Sequence, residues 1–320
     1  MVLAALDTAR RSLPEYAHKQ SPKKFTQHQL FACLALKNFL RTDYRGVVAQ
    51  LKDNPLLVET LGLRHIPHYT TLQKASRRLL VSAHVRSLLD ATARLHFKRR
   101  RRVKRGAIDS TGIECTSASG YFIRRRVRSG EPWKRLVYHY FAKMGLVCDT
   151  ESHLILACRA GRGPRPDVDE FRPLIADALK RMQMAQLVAD AGYDSEANHV
   201  FARDDHHVRT MIPPRHGRPT VKPARGRYRR LMQVRFDVEV YGQRSQVETV
   251  ISMLKRRQAA FVRGKSYWSQ CRDLRLMALT HNIMILITCT VFYRAGRESV
   301  SRRGLFLGES RNRETDSRPL

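Results

Sequence analysis

The chain has 320 residues, 42% of them hydrophobic, enough for a sizeable core and two domains despite a heavy charge. Lys and Arg number 60 against 28 Asp and Glu, a net charge of +32, and a surplus of that size argues for a polyanionic partner, most often nucleic acid. Six cysteines with no C-x-x-C pair, and no His pair at zinc-finger spacing, exclude a disulfide framework and a structural zinc and suit reduced core thiols in an intracellular protein.

No charged n-region, apolar run and cleavage site open the chain, so no signal peptide is expected. Residues 1–97 read as a helical DNA-binding or dimerisation domain. Thr26 opens "TQHQLFACLALKNFL" with a T-x-x-Q capping box, and a second box, "TTLQ" at 70–73, opens "TTLQKASRRLLVSAHVRSLL". Between them "YRGVVAQL" and "NPLLVETLGL" give short helices. Such helices with tight turns suit DNA contact, although the core of any α domain is built the same way. "KRRRRVKR" (98–105) has seven basic residues in eight and marks a boundary, reading as a strip that tracks phosphates.

Beyond it the period changes from helical to strand-like. "GAIDSTGIECTSA", "KRLVYHYFAKMGLVCD" and "HLILACRAG" read as three strands, the last two joined by a turn at "DTES". "DVDEFRPLIADALKRM" reads as a helix opened by a D-x-x-E box of Asp167 and Glu170, followed by the strand "AQLVAD", the helix "SEANHVFARD" and the strand "VRTMIP". Residues 98–294 therefore read as an α/β domain, a mixed sheet flanked by helices. Residues 213–230, with seven basic residues and no acid, read as a flexible loop that orders on DNA. The apolar run "IMILITCTVFY" (283–293) is too short to span a bilayer and reads as a buried helix, and residues 295–320 as a polar, disordered tail.

Two acids stand where surface charges rarely do. Asp109 interrupts the apolar strand "AIDSTGI", and Asp190 ends the run "LVAD" just before Gly192. A charge there is costly unless a cation or metal compensates it. A third, Glu248, sits among cations in "YGQRSQVETVISMLKRR" (241–257). Read as one ideal helix with Tyr241 at zero, Arg244, Glu248 and Lys255 fall at about 300°, 340° and 320°, one face beside an apolar stripe of Val247, Val250, Ile251 and Leu254. Taken alone, such a helix is better explained by an i,i+4 ion pair between Arg244 and Glu248 on a solvated face, and the rest of the chain must decide. Should the three acids converge, their cluster suits Mg²⁺, and two such ions suit phosphodiester displacement. Asp149, Asp167 and Asp194 read as structural acids, one in a hairpin turn and two as helix caps.

Residues 241–255 match Y-x2-R-x3-E-x6-K, and the chain here resembles the DDE transposases of bacterial insertion sequences (the insertion-sequence-four and -five superfamily). "AIDSTGI" and "VADAGYDSE" look like that family's first-Asp and second-Asp segments, and the likeness runs over about residues 25–295. It implies a ribonuclease-H-like fold and a D-x80-D-x57-E triad of Asp109, Asp190 and Glu248 holding two Mg²⁺ or Mn²⁺ ions. It further implies that Tyr241, Arg244 and Lys255 hold the backbone of the element's end DNA. Arg225 and Arg227 of the basic loop join them as expected DNA contacts. The partners expected are double-stranded DNA, as terminal inverted repeats and target, and a second copy of the chain in a homodimer on DNA. The expected place is the cytoplasm, at the nucleoid, with no membrane contact. The activity implied is cleavage at the element's ends and joining to target DNA. Two alternatives stand beside it: a ribonuclease-H-like nuclease or resolvase that cuts without joining, and a transposase-derived DNA-binding protein without catalysis.

Overall fold

The computed structural model describes residues 1–115, 141–214 and 224–309, with residues 290–309 described as backbone only. Six helices come first: α1 Val2–Arg10, α2 Gln27–Phe39, α3 Tyr44–Asp53, α4 Pro55–Thr60, α5 Tyr69–Leu79 and α6 Ser82–Phe97. The Thr26 capping box forms as the sequence indicates. The Gln29 N–H donates to the Thr26 hydroxyl at 3.1 Å, and the Thr26 N–H donates to Gln29 Oε1 at 2.9 Å. The second box does not form. Its helix starts at Tyr69, and the Thr70 hydroxyl meets His68 Nδ1 at 2.8 Å instead. The long helix expected there breaks at Leu80 and Val81 into α5 and α6, a turn that lets Leu79, Leu80, Val85 and Leu88 all reach one core.

The sheet follows: β1 Arg102–Cys115, β2 Phe141–Asp149, β3 Ile155–Gly163, β4 Gln183–Ala189, β5 Arg209–Met211 and β6 Phe261–Val262. Strand order is β3-β2-β1-β4-β5. β1 runs antiparallel to β2 and β2 to β3, whereas β1–β4 and β4–β5 are parallel, and the short β6 adds to the far end of β1. This mixed sheet flanked by helices, preceded by a helical region, is the ribonuclease-H-like α/β architecture expected. Residues 116–140 and 215–223 lie outside the described residues, and with them the start of the second expected strand and half of the basic loop.

Alternation along the strands sends side chains to opposite faces. Ile108, Val147 and Leu187 face α7 (Val168–Leu179), while Ala107, Leu146 and Val188 face α11 (Ser245–Arg257) and the long α12 (Tyr267–Glu309). α12 also sends Leu276, Leu279 and Ile283 into the core of the N-terminal helices. Its Asn282 is fully buried. The carboxamide donates to the Ile155 carbonyl (2.9 Å) and to Thr92 Oγ1 (3.0 Å) and accepts the Ile155 N–H (2.8 Å), so it pairs with the outer strand β3 as a neighbouring backbone would.

Three further readings change. The segment before the signature is not a loop to residue 230. Between the short α8 (Glu196–Val200) and α11 stand α9 (Arg227–Val234) and α10 (Val238–Gly242). The Glu196 carboxylate accepts the N–H groups of Tyr228 and Arg229 at 3.0 and 3.1 Å, satisfying the exposed first turn of α9. Gly226, at φ +104°, makes that approach possible, since a Cβ there would fall 2.1 Å from Glu196 Oε2. The run 283–293 is buried only in part, at Ile283 and Ile285 and not at Thr288 or Cys289, and α12 continues to Glu309 through the start of the expected tail. No helix among the described residues is long and apolar enough to cross a membrane. All six cysteines are free thiols.

Candidate active site

β1 and β4 stay in parallel register up to Ile108 opposite Ala189, so Asp109 and Asp190 follow side by side where β4 ends. Neighbouring strand ends are where an open α/β sheet forms its crevice. α11 lies across this point because Val247, Val250 and Leu254 bury completely against Ala107, Ile113 and Leu146. The apolar stripe read from the sequence is thus the docking face, and the adjacent Glu248 is left half-exposed at the crevice.

The signature is not one helix. α10 ends at Gly242, and Gln243 and Arg244 form a turn before α11. Here the Arg244 N–H donates to the Tyr241 carbonyl and that of Val247 to the Arg244 carbonyl, an i→i+3 pattern tighter than an α-helix. Residues i and i+3 eclipse in such a turn, so Arg244 still stacks over Tyr241, its guanidinium carbon 6.0 Å from the ring centre. Gly242, a poor helix former, stands at the break.

Arg244 joins the acids. Its guanidinium donates to Glu248 Oε1 at 2.6 Å and comes within 3.9 Å of Asp109 Oδ2. Burial pulls its pKa down, but Glu248, Tyr241 and Asp190 more than reverse this and raise it. The i,i+4 pair weighed from the sequence therefore forms, yet it points into the crevice. Asp109, its side chain 20% exposed, also accepts its neighbour Ser110's N–H at 2.7 Å. Burial pushes its carboxyl up to about 6. The Ser110 amide and Arg244 oppose the rise, and Asp190 and Asp167 add to it. Asp190 is exposed and accepts the Ala191 N–H at 2.6 Å. Among the described residues no group of three or more His, Cys, Asp or Glu side chains lies close enough together to hold a metal ion. Arg244 links the acids: it is paired with Glu248, lies within 3.9 Å of Asp109, and is near enough to Asp190 for that charge to help raise its pKa. Lys255 lies two turns further along α11, away from the acids, and Arg225 and Arg227 are exposed at the start of α9, Arg227 lying 5.1 Å from the Tyr228 ring centre.

Sequence reasoning missed one neighbour. Asp167 makes no helix cap. Its Oδ1 accepts the Ser110 hydroxyl (2.5 Å) and pairs with the buried Lys143 ammonium (2.7 Å), so it braces the strand beside Asp109. The D-x-x-E pattern suggested a local partner, and a tertiary one won. Asp194, also read as a cap, instead has its side chain fully buried against Arg229 at 2.7 Å, and Ser195 caps α8. Asp149 keeps the hairpin role read for it, accepting the Ser152 N–H and hydroxyl.

A protein-family model described as "Transposase DDE domain" matches residues 103–283, more than half the chain and all of the crevice. No curated protein matches.

Proposed function

The chain belongs to the DDE transposase family, and on that premise we propose that it cuts the DNA ends of its own mobile element and joins them to target DNA, with Asp109, Asp190 and Glu248 as the catalytic acids. The observation that carries this reading is the guanidinium of Arg244 reaching from Glu248 at 2.6 Å to Asp109 at 3.9 Å, beside Asp190. Three acids around one cation, one of them half-buried and reluctant to ionise, form a donor set of hard oxygens that suits Mg²⁺ or Mn²⁺. When bound, two such ions lower the pKa of a water and stabilise the leaving oxygen. The three carboxylates would hold them.

The chain's own residues supply the rest. Tyr241, Arg244 and Lys255, with Arg225 and Arg227, grip backbone phosphates and fix the scissile bond over the crevice. In the first step a water oxygen bonds to phosphorus and the 3′-oxygen leaves as a hydroxyl. In the second that hydroxyl attacks a target phosphate and expels another 3′-oxygen. One copy of the chain at each end makes the working unit a homodimer on DNA. Arg244 exchanges Glu248 for phosphate when DNA arrives, which frees the third carboxylate.

The test uses the purified chain and duplexes carrying the sequences that flank its gene. Strand cleavage in Mg²⁺ or Mn²⁺, none in EDTA, and joined product with target DNA are expected. Full cleavage in chelator would sink the three-acid reading. Cutting without joining would leave a nuclease, and binding with no cutting a DNA-binding protein only.

A further inference from the structure

The exit of α2, the last turn of α11 and the segment around β6 enclose a cavity of about 360 Å³. Four cations line it, Lys37, Arg41, Lys255 and Arg263, with Asp273 as the single acid of the lining. Three of these five have structural work. Arg41 donates to the Arg256 and Arg257 carbonyls and so closes the C-terminal end of α11. Arg263 donates to the Arg41 carbonyl at 3.1 Å, and Asp273 accepts the Gly264 N–H at 2.9 Å. Two ammonium groups are left.

Lys37 is the unusual one. The residue is only 5% exposed, yet among the described residues its ammonium has no hydrogen bond and no ion pair, only the face of Tyr44 with the ring centre 4.8 Å away. Burial pushes its pKa down, and Asp273 is the largest opposing influence. Its stem is buried while the ammonium opens into the cavity, as the ends of long basic side chains do, and an anion entering there would find it unpaired. A second ammonium, Lys255, lines the same cavity.

We propose that this cavity seats one backbone phosphate of bound DNA between Lys37 of the N-terminal helices and Lys255 of the catalytic helix. Lys255 follows Glu248 by seven residues, about 10 Å along α11. That distance is roughly three base steps of duplex rise, so the seated phosphate lies near the scissile one without overlapping it. The site couples the N-terminal helices to the catalytic helix through a single DNA phosphate. This inference rests on the reading of the chain as a DNA-cutting enzyme.

The experiment measures binding of a labelled mixed-sequence duplex by fluorescence anisotropy between about 50 and 200 mM salt. Lys37→Met should weaken binding and flatten the log–log salt slope by about 0.9, the loss of one phosphate contact, and Lys37→Arg should restore most of the slope. The Met variant should melt close to wild type, because it keeps the buried stem and removes only the charged end. If it does not fold, Lys37→Gln replaces it in the same assay. A separate arm adds inorganic phosphate to wild type at constant ionic strength and follows the melting temperature. An unchanged salt slope in a folded variant overturns the inference, also when inorganic phosphate raises the melting temperature, since the cavity is then a free-phosphate site. A flattened slope with no metal-dependent cleavage by wild type removes the catalytic reading and leaves the cavity. Cleavage with an unchanged slope does the reverse.

Discussion

Asp190 and Asp194 are four residues apart and live in opposite surroundings. Asp194, at the junction of α8 and α9, has no exposed side-chain surface. Arg229 meets its Oδ2 through two nitrogens at 2.7 and 2.8 Å, and His199 lies 3.5 Å from the other oxygen. Asp190 opens onto the crevice and, among the described residues, its side chain accepts only the N–H of Ala191, while the nearest cation to Asp109 beside it is Arg244 at 3.9 Å. An acid held by close contacts to a cation of its own is framework. Acids whose counter-charge is one arginine shared with a third carboxylate remain able to accept another partner. On the proposed reading, the difference between ion pair and active centre is one of saturation rather than of residue type.

Substitutions should split the two regions cleanly. Asp109→Asn or Glu248→Gln is expected to abolish metal-dependent cleavage by at least about a thousandfold, near 4 kcal/mol in the barrier, while duplex binding persists. Single-turnover cleavage and anisotropy, run in parallel, check this. A Glu248→Gln enzyme that cuts at the wild-type rate would return Glu248 to the plain ion pair. Asp194→Asn should do the opposite. Leaving Arg229 without its carboxylate should cost about 3 kcal/mol of stability, read from denaturant midpoints, with cleavage per folded molecule unchanged. Loss of cleavage in a stable Asp194→Asn protein would move Asp194 out of the framework.

The framework also carries a pH signature. His281 is buried, with its Nε2 2.9 Å from the His153 carbonyl, and burial pushes its pKa down to about 4. The unfolded chain binds this proton near pH 6.5 and the folded one does not. The stability it contributes is therefore full above about 6.5 and lost as pH falls through about 4, at up to about 1.4 kcal/mol per pH unit. Denaturant midpoints from pH 7 to pH 4 should show this fall, and His281→Gln should flatten it. The smallest effect is expected at the crevice. Glu248→Gln should change the melting temperature by the equivalent of about 0–1 kcal/mol, because its carboxylate is half-exposed and its pair with Arg244 is screened. A larger drop would make that pair part of the framework after all.

Much of this was legible in the residues. Strand periodicity gave the sheet, the Thr26 capping box gave the start of α2, and two acids placed against the apolar grain marked the neighbouring strand ends of β1 and β4. What escaped depends on contacts distant in sequence. Asp167 pairs with Lys143, on a strand that pattern alone cannot pair with it. Lys37 gains its meaning only where α2 meets the end of α11, an approach fixed by Asn38 bonding Gln258 some 220 residues away. The break at Gly242 escaped for another reason. A helical wheel assumes 100° per residue throughout, and the tighter turn at Gln243 and Arg244 reaches nearly the same face by a different rotation. The polar stretch after residue 294 carries no apolar stripe to announce that α12 continues through it.

The carboxamide of Asn282 has a consequence for how the chain behaves in a crowd. A sheet that ends in a bare strand invites a second molecule to add its own, and a sheet of this length would be open to such stacking at both margins. One margin is β5, three residues long and too brief to template a partner. At the other, Asn282 fills the hydrogen-bonding position beside Ile155 that an incoming strand would use, and α12 covers it. Copies of the protein brought together at high concentration should thereby be kept from fusing sheet to sheet.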